Sequence, residues 1–465
     1  MISFSCLDLT VIVVFFVVLL AIGFFANTKN GNDSSEYLLS GRKMGLLLFI
    51  FTNVSTWYGG ILGIGEFTYR YGILSWVTQG LPYYFFAVIF AFLLAKKVRA
   101  SSLYTIPDKL EQTYGKEVGV ISSVLVFILV SPAPYLLMVG NLISLMFNIH
   151  LFYGLLIGLA LSGLYLFRGG YKSDVYADVF QFFVMFAGFI VAVVVSVNNY
   201  GGMEFLKKEL PATHLQFTGN VSILYLIVWF LIALWTFADP GFHQRCYAAK
   251  NGNVAKWGII ISVLLWALFD FLTTTTGLFA RAVHPNLENP LLSFPIFAES
   301  TFSSGIKGLF YAAMFATILS TLNSFLFLSA TTFGRDFVFK LSKNPDETKI
   351  TLYTRIGLVV SSALAVAMSL YVQSVVTIWY LIGSICIPPI IFLIFGSYYE
   401  KLKISKTIAL YEMIVSVFAS LTWYFTKDLF KVNWFADIEP MIVGIAAAGI
   451  IHLYGIKKAA KAAAL

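Results

Sequence analysis

Thr52-Asn53-Val54-Ser55-Thr56-Trp57-Tyr58-Gly59-Gly60, continued by Gly63 and Gly65, lies inside an apolar stretch that runs from 44 to 65. A helix in lipid must satisfy its own backbone, because hydrocarbon offers no hydrogen-bond partners. Four glycines and a run of small polar side chains make a poor continuous helix. Such a segment can break and free its carbonyls for an ion, with Trp57 and Tyr58 facing a substrate. It can also form a close packing seam, because Gly59 and Gly63 keep the small-xxx-small spacing. A second interruption, Asp239-Pro240-Gly241, closes the apolar stretch 221–239. Pro-Gly stops a helix. The acidic group at that stop either binds a cation or pairs with Arg245.

The surrounding chain places both interruptions in a membrane. Its 465 residues are 59% hydrophobic and 12% charged, with a mean hydropathy of +0.84. Soluble domains carry about 25% charged residues. The composition predicts an all-α membrane protein and excludes a soluble enzyme, a disordered chain and a disulfide-stapled domain. Apolar runs of about 20 residues predict about 13 spans, at 8–26, 44–65, 73–97, 118–147, 151–168, 174–198, 221–239, 254–280, 304–334, 353–372, 376–399, 405–425 and 434–455. With the N-terminus outside, 24 of the 31 Lys and Arg fall on the cytoplasmic side, Arg245 and Lys29 among them. Seven fall outside: Arg70, Lys207, Lys208, Arg281, Lys307, Lys427 and Lys431. Basic loops face the cytoplasm, so the chain reads as N-out and C-in. Asp8 opens the first span and no basic leader precedes it, which reads as an uncleaved helix.

The interrupted second and seventh spans are five apart. That spacing is expected of two inverted five-helix repeats around a midplane site. The divisions are then a peripheral first helix and loop (1–43), repeats at 44–200 and 201–400, and two peripheral helices at 401–465. Cys6, Cys246 and Cys386 form no pair or metal spacing, and the five His do not cluster. Neither a catalytic constellation nor a nucleic-acid partner is expected, despite the net charge of +8.

Polar groups inside a bilayer default to functional sites that face the bundle interior. In the ninth span Thr317, Ser320, Thr321 and Ser324 share one helical face, with Asn323 adjacent. Hydroxyls suit a hard monovalent cation, or they bond their own i−4 carbonyls. Asp178, early in the sixth span, is an ion ligand or the partner of a basic residue, with Gln181 a turn further on. Asp174 sits at the interface and caps the helix. Pro132 and Pro134 leave the carbonyls of Ile128 and Val130 unpaired beside Tyr135, which lines a cavity or marks a kink. Asp270, beside Thr273 to Thr276, takes a structural hydrogen-bond role.

These residues resemble the sodium:solute symporter family, which has the LeuT-type 5+5 inverted-repeat fold. The resemblance runs from about 37 to 400. It rests on Tyr37-Leu38-Leu39-Ser40-Gly41-Arg42; on Gly169-Gly170 through Asp178-Val179-Phe180-Gln181, with Ala177 where Thr is usual; on Gln244-Arg245-Cys246-Tyr247-Ala248-Ala249-Lys250; and on Leu319-Ser320-Thr321 with Phe333-Gly334-Arg335-Asp336. It implies a sodium ion between the second and ninth spans, held by the carbonyls of Ser55, Tyr58 and Thr317 and the hydroxyls of Ser320 and Thr321. A second sodium would use Asp178, Ser320, Asn323 and Ser324, with Asn323 where a hydroxyl is usual.

Thr56-Trp57-Tyr58-Gly59-Gly60 and Ile378-Trp379-Tyr380-Leu381 resemble the choline-transporter branch, where aromatic rings cage a cation. Trp57 and Trp379 match two cage positions, and Asp239 stands where a third cage Trp is usual. A carboxylate there favours a primary or secondary amine. The substrate-facing set implied is Asn53, Trp57, Tyr58, Tyr135, Trp235, Asp239 and Trp379. The expected protein is a Na⁺-coupled secondary symporter, monomeric and multi-pass in the cell (inner) membrane, that imports a small organic solute. The alternatives are proton coupling on the same fold, or sodium symport of an amino acid, an organic acid or a vitamin.

Overall fold

The computed structural model describes residues 3–26, 34–342, 346–372, 374–429 and 438–463. Lys29, Lys343 and Lys431 of the charge count, and 434–437 of the last predicted span, lie outside the described residues. Ten described helices are long and apolar enough to cross a membrane, and two bent pairs bring the number to twelve. The segment predicted as the fifth span is a 13-residue helix, Leu151–Gly163. At 1.5 Å per residue it rises about 20 Å, short of the ~30 Å hydrocarbon core.

The helices that matter for the site are α1 (Cys6–Phe25), α2 (Leu46–Ser55), α3 (Ile61–Tyr71), α4 (Leu166–Tyr200), α5 (Ile223–Ile232), α6 (Pro240–Ala248), α7 (Gly252–Val283), α8 (Ile306–Thr331) and α9 (Val375–Cys386). The predicted break in the second span is present. A single 3₁₀ turn, Thr56–Tyr58, ends α2, and the chain bends by 57° into α3. The seventh span also breaks, but it does not end at Asp239. It resumes as α6, so Arg245 belongs to a buried helix and not to a cytoplasmic loop. The expected open carbonyl at Ile128 is closed instead, because the Ser131 N–H donates to it at 3.1 Å.

Apart from Ile306 and Leu309, every residue of α8 is buried. It is the central post, with α4 and α1 packed along it. The outer surface is as apolar as the inside: Val17, Phe183, Leu264, Phe271 and Phe418 are all exposed. In lipid that exposure costs nothing, so the buried polar residues are what single out the interior. One glycine is conformationally required in α4. Gly170 has φ +56°, and a Cβ there would lie 2.5 Å from the Tyr37 carbonyl. Only glycine adopts that backbone freely. Tyr37 in turn donates to Leu166 O at 2.9 Å, which anchors the start of α4.

At one end of the bundle loops and helix ends are tied together. Met44 N donates to Ala248 O at 3.1 Å, and Lys250 N donates to Met44 O at 2.9 Å. Arg99 donates to Ala249 O beside them. Arg42 and Arg335 both stack on the Tyr104 ring, at 4.8 and 4.3 Å. Next to them Asp108 pairs with Arg335 and Lys340. Burial works to raise the Asp108 carboxyl, but the two cations outweigh it and hold it down at about 2. All the basic residues of this cluster belong to the side predicted to be cytoplasmic.

Candidate functional site

The break after α2 lies directly against α8. A Cβ on Gly59 would sit 2.4 Å from Thr321 Cβ, and one on Gly60 would sit 2.5 Å from the Trp379 ring. Both glycines are there because no side chain fits. The break and the packing seam are therefore one feature. Thr321 Oγ1 donates to Thr56 O at 2.7 Å across the contact. Thr317 Oγ1 donates to Met314 O at 2.7 Å, and Ser55 Oγ donates to Phe51 O at 3.0 Å. Tyr58 OH reaches Trp266 O at 2.7 Å. The side chains of Thr317, Ser55 and Tyr58 are thus spent on backbone carbonyls of their own or neighbouring helices. What Ser55, Tyr58 and Thr317 have to offer at the contact is backbone carbonyl oxygen. Ser320 and Thr321 bring hydroxyls to the same contact, where Ser320 donates to Asp178 and Thr321 to the Thr56 and Thr317 carbonyls.

Asp178, fully buried on α4, gathers the two helices. Ser320 Oγ donates to its Oδ1 at 2.5 Å, and Thr52 and Thr56 donate to its Oδ2, the latter at 3.3 Å. Hydrogen bonds to a charged group are worth roughly 1.5–3 kcal/mol each. One turn away, Ser324 Oγ donates to Asp174 Oδ2 at 2.6 Å. Asp174 thus meets Ser324 across the helix contact, and is not the exposed helix cap the sequence suggested. It lies four residues past the non-helical Gly170 that kinks α4, and it is fully buried. Asn323 donates to Tyr165 OH. Arg245, 2% exposed, donates to Thr56 Oγ1 at 2.5 Å, Ser324 Oγ at 3.4 Å and Gly241 O at 3.1 Å.

Above this polar layer is a cavity of about 340 Å³, and Asn53, Trp57, Tyr58, Tyr135, Trp235, Asp239 and Trp379 all line it. Trp57 stacks on Trp266 at 4.7 Å and meets Tyr83 edge-on at 5.2 Å. Tyr135 and Trp379 lie 5.9 Å apart across it. Asp239 accepts Phe242 N at 2.8 Å and caps α6. Among the described residues no ion pair joins it to Arg245, though Trp235, the Gly241 N–H and the Arg245 charge all act on the carboxylate. Asp270 also lines the cavity and accepts from Tyr84. Asp239 and Asp270 are opposed by one basic lining residue, Arg245. The Asn53 amide nitrogen is buried without a partner.

Several residues of this site are not in the set read from the sequence. Thr52 and Thr56 are in the quoted run, and their i, i+4 spacing puts both on the face that meets Asp178. Asp174 and Asp178 share the same spacing. No comparable signal marks Tyr83, Trp266 or Phe242, which sit among many other rings in apolar helices.

A family model, the sodium:solute symporter family, matches residues 37–416. High-affinity choline transporter 1 of Caenorhabditis elegans is 24% identical, over 82% of this chain and 71% of its own. Sodium/proline symporter 2 of Staphylococcus saprophyticus is also 24% identical, over 97% of this chain and 92% of its own. A substrate-bound, outward-open Na⁺-coupled sialic acid symporter superposes with a TM-score of 0.83 at 17% identity, covering 98% of both chains. At that identity the likeness speaks for the fold, which is of the LeuT type.

Proposed function

Because the chain belongs to the sodium:solute symporter family, we propose that it is a Na⁺-coupled secondary symporter that imports a small organic cation. The observation that supports the reading is the hydroxyl-rich contact between the broken second span and α8, where Ser320 and Thr321 meet Asp178 and Thr56. A sodium ion there would draw the carbonyls of Ser55, Tyr58 and Thr317 toward the hydroxyls of Ser320 and Thr321. It would thereby hold α2 and α3 in the geometry that shapes the cavity. The substrate is the solute that meets Trp57, Tyr135, Trp235 and Trp379 by cation–π attraction and meets Asp239 by charge. The excess of carboxylates over Arg245 in the lining supports a cationic amine. The repeats are 44–200 and 201–400, the orientation is N-out and C-in, and the protein acts as a monomer in the cell membrane.

The cavity reaches Phe67, Trp229 and Met441, near the helix ends that this orientation places outside. The opposite end is the one tied by Met44, Arg99 and Lys250. The conformation is therefore outward-facing. Sodium and substrate would close the outer side, and the inner ties would then part. One sodium moving down ~100 mV supplies about 2.3 kcal/mol, worth roughly 50-fold accumulation because ~1.4 kcal/mol is tenfold.

The test is uptake by purified protein in liposomes under an inward Na⁺ gradient, with K⁺ as control. The panel holds choline, betaine, amino acids, polyamines, sugars and organic acids. Uptake of a cationic amine that requires sodium supports the proposal. Uptake that ignores sodium and follows a pH gradient overturns it in favour of proton coupling. Sodium-dependent uptake of an anion keeps the symporter and discards the aromatic–carboxylate pocket. Ser320→Ala removes one hydroxyl ligand and is expected to raise the sodium concentration for half-maximal uptake about tenfold, a ~1.4 kcal/mol loss. An unchanged sodium dependence would sink the ligand assignment.

A further inference from the structure

Asp270 is a cavity carboxylate with no counter-charge from the protein. It is 7% exposed and lines the cavity from α7. Tyr84 donates to its Oδ2, and the Tyr58 hydroxyl also acts on the carboxylate. Trp76 Nε1 donates to Tyr84 OH at 3.3 Å and holds that ring in place. A Cβ on Gly80 would lie 2.9 Å from Asp270 Oδ2, so the glycine leaves the carboxylate its room. Among the described residues no ion pair reaches Asp270. Asp239 differs, because the Arg245 charge acts on it and it caps α6. A buried charge without a partner is costly, and a cationic ligand in the cavity offsets that cost.

A second observation comes from the other side of the ring stack. Asp270 stands four residues past Trp266 on α7, one turn or about 6 Å along the axis. Trp266 stacks on Trp57 at 4.7 Å. Because α7 starts at Gly252, beside the tied end, Asp270 lies on the mouth side of these rings. Asn53 precedes Trp57 by four residues and lies on the tied side. It is 3% exposed and lines the cavity, and its amide nitrogen has no partner. A buried donor left unpaired is unfavourable, so a ligand that fills the cavity gains by bringing an acceptor. The cavity thus offers a carboxylate at one level, an unused N–H donor at another, and aromatic rings between the two levels.

We propose that Asp270 holds the substrate's ammonium and Asn53 its neutral oxygen, so that the solute is an amino alcohol or a similar amine that keeps its N–H groups. The assignment rests on the sodium-symport reading and deepens it. A carboxylate acceptor favours an ammonium that can donate to it. A quaternary ammonium has no N–H and meets only the rings and the charge. The excess of carboxylates in the lining disfavours a substrate carboxylate at Asn53, which leaves a hydroxyl or a comparable neutral oxygen. Asp270 is then a specificity-determining residue, and Tyr84 is the positioning residue that fixes it.

The probes are linear amino alcohols of two to five carbons, each beside its N-trimethyl analogue and the alkylamine that lacks the hydroxyl. Their binding to purified protein in saturating sodium is read from tryptophan fluorescence, with ²²Na⁺ binding measured separately without substrate. The best amino alcohol is expected to bind more tightly than both of its analogues. Asp270→Asn is expected to weaken it about 30-fold, the scale of a hydrogen bond to a charged group, with ²²Na⁺ binding unchanged. Asn53→Ala is expected to remove the preference over the alkylamine. If Asp270→Asn does not fold, Tyr84→Phe decides, with an expected loss of about fivefold. Wild-type affinity in the variant that folds overturns the assignment. So does a wild type that binds the N-trimethyl analogue as tightly, or that binds no member of the series. In each of these cases sodium-driven uptake of another solute leaves the symporter standing. A wild type that neither binds ²²Na⁺ nor shows sodium-driven uptake overturns the sodium-symport reading itself, and the assignment with it.

Discussion

Asp178→Asn is expected to lower sodium-driven accumulation by about 50-fold or more, the leverage of one coupled ion at ~100 mV. Three hydroxyls on two helices converge on this carboxylate: Thr52, Thr56 and Ser320. An amide of the same shape keeps one acceptor and turns a donor toward hydroxyls that are themselves donating. It also removes the charge that faces Arg245 across Thr56. Each hydrogen bond to the charged carboxylate is worth roughly 1.5–3 kcal/mol, so the amide weakens the contact that joins α4 to both helices. The measurement is the steady-state accumulation ratio, in liposomes, of whichever panel solute the wild type takes up. Protein yield and thermal stability separate failed folding from failed coupling. A folded Asp178→Asn with the wild-type ratio would remove this carboxylate from the mechanism.

The second large effect is steric. Gly59→Ala places a methyl 2.4 Å from the Thr321 side chain, a separation that real side chains do not tolerate. The neighbour is a short β-branched residue on a fully buried helix, so the break must move away from α8. Overpacking of this kind costs about 1–3 kcal/mol. The cost falls on the contact proposed to hold sodium. The sodium concentration for half-maximal uptake is expected to rise about tenfold, and Gly59→Val is expected to abolish uptake. Gly202 has no atom within 4 Å of its would-be Cβ. Gly202→Ala is therefore the control, with sodium dependence unchanged. A Gly59→Ala protein with normal sodium dependence would show that the break does not need to touch α8.

The sequence by itself determined the membrane class, the positions of most helices and both interruptions, but not the length of the fifth predicted span or the end of the seventh. In lipid each helix must meet its own backbone demands and present apolar side chains, so the constraint is local and leaves a readable trace. The polar face of Thr317, Ser320, Thr321 and Ser324 was legible for the same reason, because it follows from helix periodicity alone. Tertiary structure decided what those residues meet. Asp174 reads as a helix cap until α4 is seen to pack along α8, which buries it against Ser324. Arg245 reads as a loop cation until α6 carries it beneath the cavity. Trp266, Tyr83 and Phe242 carry no local signal, and only the packing of three separate helices around the break in the second span turns them toward Trp57. Which side chains face one another across helices depends on contacts between residues far apart in the chain, 265 positions for Thr56 and Thr321. Helix periodicity gives a residue's face, but only the packing of the whole bundle gives its partner.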